Sequence, residues 1–253
     1  MRIRHLLAIP ALVLFTSCYQ FDFTLQAGYA ELGLDGDVGY DNGTGGVAFQ
    51  EDIETGLGLG ADQGTPYARA VMDFGTPVLA ISAFSFEDDG RGVLTQDFGD
   101  ISAGLPVQTD FELTSIKGAY TFDIPIVPGI ASIQPGIAVN YFDLFIDARD
   151  TLGISQQTVD LTGPIPLAYL RGEVELGMFS LTAEAGYLEV DVDDVSGSLL
   201  DAEAQLAINP APLLELFVGY RLLEFQVDGQ IDGDTVDTDF TLSGLMIGGG
   251  VRF

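Results

Sequence analysis

The 253 residues predict an all-β chain: ten antiparallel strands, running up and down and closed into a transmembrane barrel. Three observations carry this expectation. Apolar residues recur at every second position in one segment after another, the period of a strand whose two faces meet different surroundings. The connections between these segments are alternately short and long. The aromatics of the apolar parity gather at two levels along the strands. Ten is an even count, which places both chain ends on one side of a membrane.

Taken in order, residues 1–17 read as an export signal. Arg2, Arg4 and His5 form a basic start, and residues 6–15 an apolar run too short to span a bilayer as a helix. Thr16-Ser17-Cys18 follows. Small residues directly before a cysteine resemble a bacterial lipobox, which implies lipidation of Cys18; the other reading is ordinary cleavage nearby with a free Cys18. Either way, one cysteine in the whole chain excludes an intrachain disulfide framework. After residue 17 no run of eighteen apolar residues occurs, yet mean hydropathy is +0.30. Hydrophobicity spread thinly over alternating segments is the signature of a barrel in a membrane, and the barrel is expected to occupy residues 20–253.

The expected strands are 21–32, 67–74, 78–86, 112–124, 130–142, 165–176, 179–190, 198–208, 213–227 and 236–253. Short turns rich in Gly, Pro and Asn join them at 75–77, 125–129, 177–178 and 209–212. The intervening connections, 33–66, 87–111, 143–164, 191–197 and 228–235, are generally longer. Short turns at one end and long loops at the other match periplasmic turns and extracellular loops; a soluble sandwich has no reason to alternate so. Phe23, Phe74, Phe122, Phe179 and Phe253 share the apolar parity and sit beside a short turn or a chain end. Tyr29, Tyr187 and Tyr220 lie on that parity further up. Eight strand residues rise about 26 Å along the strand and roughly 20 Å along a tilted barrel axis, which approximates the height of a membrane's apolar band. These eight aromatics are therefore expected to form lipid-facing girdles.

The other parity carries charge. Arg69, Asp73, Lys117, Arg171, Glu173, Glu175, Glu184, Glu203, Glu215, Arg221 and Arg252 are expected to point into the lumen. Five of the seven basic residues left after Arg2 and Arg4 are in this set, in a chain whose formal charge is −29. Charges withdrawn from water persist when they are paired, so the set reads as a network that fills a narrow barrel, with Arg171 as its hub. The alternative is the lining of a narrow porin-like channel for small solutes.

The remaining acids cluster where long loops are expected: Asp35, Asp37, Asp41, Glu51, Asp52, Glu54 and Asp62; Glu87, Asp88 and Asp89; Asp191, Asp193 and Asp194; Asp228, Asp232, Asp234, Asp237 and Asp239. A solvated acidic rim accounts for them, with weak divalent cations as partners at most. The stretch DGQIDGDTVDTD lacks the glycine and glutamate spacing of an EF-hand, and no metal site is assigned. A chain this acidic excludes non-specific nucleic-acid binding. No cofactor motif is present, and no serine or cysteine is paired with a base.

The terminal segment FTLSGLMIGGGVRF (240–253), ending on Phe253 with Arg252 inside it, resembles the closing strand of Gram-negative outer-membrane β-barrel proteins. DLTGPIPLAYLRGEVEL (160–176), LTAEAGYLEVDVDD (181–194), LDAEAQLAI (200–208) and GYRLLEFQVD (219–228) extend the likeness to an uncharacterised family of such barrels. The resemblance implies residence in the cell outer membrane among its lipids, and insertion by machinery that reads the last strand. It carries over no substrate, and a monomer is expected. Ten strands also resemble the omptin proteases, but outer-membrane enzymes of that kind use histidine, and the single histidine here is His5. Glu173 and Glu175 are a formal acid/base pair, but with Arg171 two residues away a salt-bridge network is the better reading, and the chain is expected not to be an enzyme.

Overall fold

The computed structural model describes residues 21–41, 48–192, 195–231 and 234–253. The expected export signal at residues 1–17, Cys18, Asp193, Asp194 and Asp232 lie outside them. Ten long strands form the wall: β1 (Asp22–Asp41), β2 (Gln63–Asp73), β3 (Pro77–Val93), β4 (Pro106–Phe122), β5 (Ala131–Asp150), β6 (Gln156–Leu176), β7 (Phe179–Val192), β8 (Val195–Ala211), β9 (Leu214–Ile231) and β10 (Asp234–Arg252). Each pairs antiparallel with its sequence neighbours, and β10 returns to β1 from Thr24↔Arg252 to Asp41↔Thr235, closing the ring. Two short segments are accessory: Glu51–Asp52 pairs with β1, and Ile124–Val127 with β5.

The first and last strands of the barrel meet at the lower rim. Phe23 and Phe253 exchange backbone hydrogen bonds at 3.1 and 2.8 Å. The short turns share that rim. Gly177, at φ +66°, makes the two-residue link from β6 to β7, a conformation that costs a residue without Cβ little. The link from β8 to β9 instead places Leu213 at φ +69°.

The strands run much further than the sequence pattern suggested. A strand of about 20 residues at ~3.3 Å per residue, tilted by about 40°, rises roughly 50 Å, against an apolar band of about 25 Å. Much of what was expected as loop in 33–66, 87–111 and 143–164 is wall: β1 continues to Asp41, β3 to Val93 and β5 to Asp150, while β4 begins at Pro106 and β6 at Gln156. Asp35, Asp37, Glu87, Asp89, Asp191, Asp228, Asp237 and Asp239 therefore stand on strands, as do Arg91 and Arg149. The alternation persists there with reversed sense. On β3, Phe84 and Phe86 point inward and are buried, while Glu87 and Asp89 are exposed.

The interior consequently has two fillings. Its upper half holds an apolar core in which Phe86 meets Phe111 edge-on at 5.9 Å and Phe111 meets Phe240 likewise. The connection after β1 and the one after β3 fold over this core, placing Ile53, Leu57, Phe98 and Ile101 fully inside. Glu51, itself buried, ties the two connections together by accepting hydrogen bonds from the backbone N–H groups of Thr95 (2.8 Å) and Gln96 (2.7 Å). The lower half of the interior is polar.

Candidate functional site: a buried charge layer across the barrel

At mid-height six charged side chains meet inside the ring. Arg69 comes from β2, Lys117 from β4, Glu184 from β7, Asp201 and Glu203 from β8, and Arg221 from β9, so the layer reaches between opposite walls. Arg69 pairs with Glu184, and its Nη1 donates to Glu203 Oε1 at 2.8 Å. Lys117 Nζ lies 3.2 Å from both Glu184 Oε1 and Asp201 Oδ1. Arg221 donates to Glu203 Oε2 at 2.9 Å and to both Asp201 oxygens at 3.0 and 3.1 Å. None of the six side chains is more than 3% exposed.

Three cations thus face three carboxylates, and each ion touches at least two of opposite sign. Neutral side chains occupy remaining positions: Tyr67 Oη donates to Glu203 at 2.9 Å, Gln205 to the same carboxylate at 2.8 Å, and Asn140 to Asp201 at 3.0 Å. The Arg221 guanidinium lies 4.4 Å over the ring of Phe84, where the apolar core begins. Arg221 Nε meets no acceptor, but this degree of pairing still matters physically, because a desolvated ion is tolerated only when its partners replace most of its hydration.

The strand register explains why these residues meet. Glu203 sits opposite Arg221 on β9 and opposite Glu184 on β7. Two carboxylates side by side on adjacent strands repel each other, and the guanidiniums of Arg69 and Arg221 relieve them from the flanks.

The other lumen candidates lie lower and are held differently. Arg171 is opposite Glu184 in register, but its Nη2 reaches down to Glu173 at 3.0 Å, and its Nε and Nη1 meet no protein acceptor. Its strand neighbour therefore claims it, and the hub is the Arg69–Arg221 pair around Glu203. Asp73, as the last residue of β2, accepts the N–H of Gly75 at 2.6 Å and caps its own turn, away from Arg69. Glu215 accepts from Gln26 at 2.6 Å. Arg252 donates to Glu175 at 2.8 Å with both side chains well exposed. These residues, with Asp22, Asp123 and Gln134, line a polar vestibule open at the lower rim.

Asp201, Asn140, Tyr67 and Gln205 were missed in the sequence. Asp201 shares the parity of Glu203 and could have been read from that alone. The others are neutral, and nothing in a strand pattern separates a lumen Asn or Gln from one in water.

On the outer face Phe122, Phe179, Phe253, Tyr29, Tyr187 and Tyr220 are exposed. Phe23 stacks on Phe253 at 6.4 Å, and Phe74, half-buried, meets Phe21 at 5.3 Å. Between the two levels stand exposed Leu181, Leu206, Leu216, Val218, Leu245 and Ile247. A depression of about 810 Å³ lies around Tyr29, Leu206, Tyr220 and Ile247 on this face. No helix among the described residues is long and apolar enough to cross a membrane, and no group of three or more acidic, histidine or cysteine side chains among them is arranged to hold a metal ion.

No protein-family model and no curated protein matches the chain. Solved structures do. The outer membrane protease OmpT of Escherichia coli is similar over 96% of this chain and 99% of its own, with TM-score 0.59 at 8% identity. The attachment invasion locus protein Ail of Yersinia pestis is a more distant likeness: TM-score 0.36 and 12% identity, over 92% of this chain and 98% of that one. At these identities the likeness concerns the backbone. The chain is an antiparallel up-and-down β-barrel with the fold of the outer-membrane β-barrel proteins of Gram-negative bacteria.

Proposed function

We propose that this protein is a structural or surface-interaction barrel of the cell outer membrane, with a lumen closed to solutes by its buried charge layer. Residues 1–17 direct export, Cys18 is either lipidated or close to the cleavage point, and the last strand presents Phe253 to the insertion machinery. The apolar band between Phe179 and Tyr187 sits in lipid. The barrel stands above the membrane as a monomer, with an acidic outer wall that holds divalent cations weakly. The observation that carries this reading is the mutual ion pairing of Arg69, Lys117, Glu184, Asp201, Glu203 and Arg221 at almost no exposure. A conducting pore keeps its charges wet and partly unpaired so that ions can exchange with them.

An enzymatic role is not part of this reading. OmpT is a protease, but the fold is shared by many functions. Here the mid-barrel residues are carboxylates neutralised by cations, and the chain's single histidine, His5, precedes the barrel. Liposome swelling tests the proposal: vesicles carrying the protein should swell in isosmotic small sugars no faster than empty vesicles. Swelling at a porin's rate would sink it in favour of the channel.

A further inference from the structure

At two places the barrel wall parts between neighbouring strands. β2 and β3 are paired only from Asp73↔Val78 up to Tyr67↔Phe84, and β6 and β7 only from Leu176↔Phe179 up to Ala168↔Tyr187. A proline stands close above the last pair in each case: Pro66 directly above it on β2, and Pro166, two residues above it and followed upward by Pro164, on β6. Proline has no N–H to give a ladder, which suits it to a strand edge.

The first gap is filled. Residues 56–60 of the connection after β1 run along β3 so closely that a Cβ added to Gly90 would lie 1.9 Å from Gly58 O, and one on Gly92 2.0 Å from Gly56 O. Gly60 N and Gln63 Nε2 both donate to Asp88, each at 2.8 Å. The second gap has no such cover among the described residues. Above Ala168, residues 156–167 pair only with β5, and residues 188–192 only with β8.

Behind this second gap lies an apolar cavity of about 220 Å³, bounded by Leu113, Phe142, Leu144, Ile165, Phe225 and Phe240. Of its lining side chains only that of Thr162 is polar. Inward-facing Leu161, Ile165, Leu188, Phe225 and Val227, all near the gap, are only partly buried, whereas Phe86 and Phe111 on the other side of the barrel are at most 1% exposed. Below the cavity lies the charge layer, and above it the connection carrying Phe98 and Ile101, whose Asp100 N donates to Gln157 at 3.2 Å. The cavity therefore ends blind and opens sideways. Its sill is Tyr187, the upper aromatic level, so it faces the membrane interface.

We propose that this notch binds one alkyl chain of a cationic amphiphile entering from the interface. The apolar lining has nothing to offer a polar ligand beyond Thr162. A cavity of roughly 150 Å³ already takes a benzene ring, so the volume suits a single medium-length chain. The head is assigned by charge. Asp143, Asp160 and Glu189 stand exposed on the outer face beside the opening; the Thr162 hydroxyl is 3.1 Å from both aspartates, Tyr187 donates to Glu189 at 2.8 Å, and none of the three carboxylates has a salt-bridge partner among the described residues. Such a rim attracts an ammonium and repels a sulfate or phosphate.

Gly163 supplies the test, because it lines the cavity and a Cβ there meets nothing within 4 Å. With the whole protein in phosphatidylcholine nanodiscs, decyltrimethylammonium and decyl sulfate are titrated below their micellar concentrations by calorimetry, with empty nanodiscs subtracted. The expected result is saturable 1:1 binding of the ammonium, at least tenfold tighter than the sulfate. Gly163→Phe should weaken it at least tenfold while leaving heat-modifiable gel migration unchanged. Asp160→Asn should narrow the preference for the ammonium. If Gly163→Phe does not fold, Ile165→Phe fills the same space from the next position but one. Binding equal to that of empty nanodiscs, binding untouched by a filled cavity in a folded variant, or equal affinity for the two head groups would each overturn the proposal.

Discussion

The lower and upper halves of this barrel use the same strands in opposite ways. On β1 the outward residues are Phe23, Leu25, Ala27 and Tyr29, and then Glu31 and Asp35; the inward ones are Thr24 and Gln26, and then Leu32 and Leu34. The parity never slips, but its chemistry inverts a little above Tyr29. Below that level the outside is greasy and the inside polar; above it the outside is acidic and the inside an apolar core. The difference teaches that alternation reports a wall with two environments, while the sign of the alternation reports which solvent is outside. The charge layer sits near the inversion, with Arg221 against Phe84 above it.

The comparison breaks most sharply at Arg221. Arg221→Met leaves Asp201 and Glu203 buried with too few cations, and removing one partner of a buried pair costs about 3–5 kcal/mol. Arg171→Met removes a cation that makes one ion pair, to a carboxylate that is 21% exposed and so can be rehydrated, and should cost clearly less than Arg221→Met. Heat-modifiable gel migration along a urea series would compare them; equal midpoints would remove the distinction between the layer and the vestibule.

That contrast marks what the sequence could tell. Period-two patterning, turn residues and aromatic levels were enough for ten strands and for which parity faces the lumen, because each is a local consequence of one strand between two solvents. Strand length was not legible. Glu87 and Asp89 look like loop residues to a pattern that expects apolar outward positions, so the inverted half resembles loops in sequence. The hub was not legible either. Glu173 and Glu175 are near Arg171 in sequence, but the cations that meet Glu184 are Lys117 and Arg69, the latter brought 115 positions across the ring.

The upper half sharpens at Gly90. Gly90→Ala places a methyl group against Gly58 O, and overpacking of this kind costs about 1–3 kcal/mol. The connection that closes the first gap should lift, so protease should cut within residues 48–62 faster than in the parent, while the lower half keeps its heat resistance. Unchanged cleavage would show that this seal is loose already.

A smaller effect separates the halves by pH. Burial, and then the negative charge of Asp52 and Asp239, raises the pKa of Asp37; burial, and then Asp228, does the same for Asp237. These groups bind protons more readily folded than unfolded, so mild acid should tighten the upper rim. Asp52 is held below the ordinary range by the hydroxyl and N–H of Thr55, and Asp150 by the N–H groups of Ile154 and Ser155. Their contribution is present above the ordinary carboxylate pKa, about 4, and is lost as pH falls through their lower folded values. Hydrogen-exchange protection of the upper strands, corrected for the intrinsic exchange rate, should therefore be greatest in the acidic range just above the ordinary carboxylate pKa and fall below about pH 4. A monotonic rise in protection down to pH 3 would contradict these assignments.

The central claim is that six paired charges close the lumen, and planar-bilayer current measures it directly. The parent protein should add no steady ohmic conductance in molar salt, while the double variant Arg69→Ser, Arg221→Ser, inserted and folded, should add discrete openings. A steady open conductance in the parent, with the same amplitude in the double variant, would contradict the account.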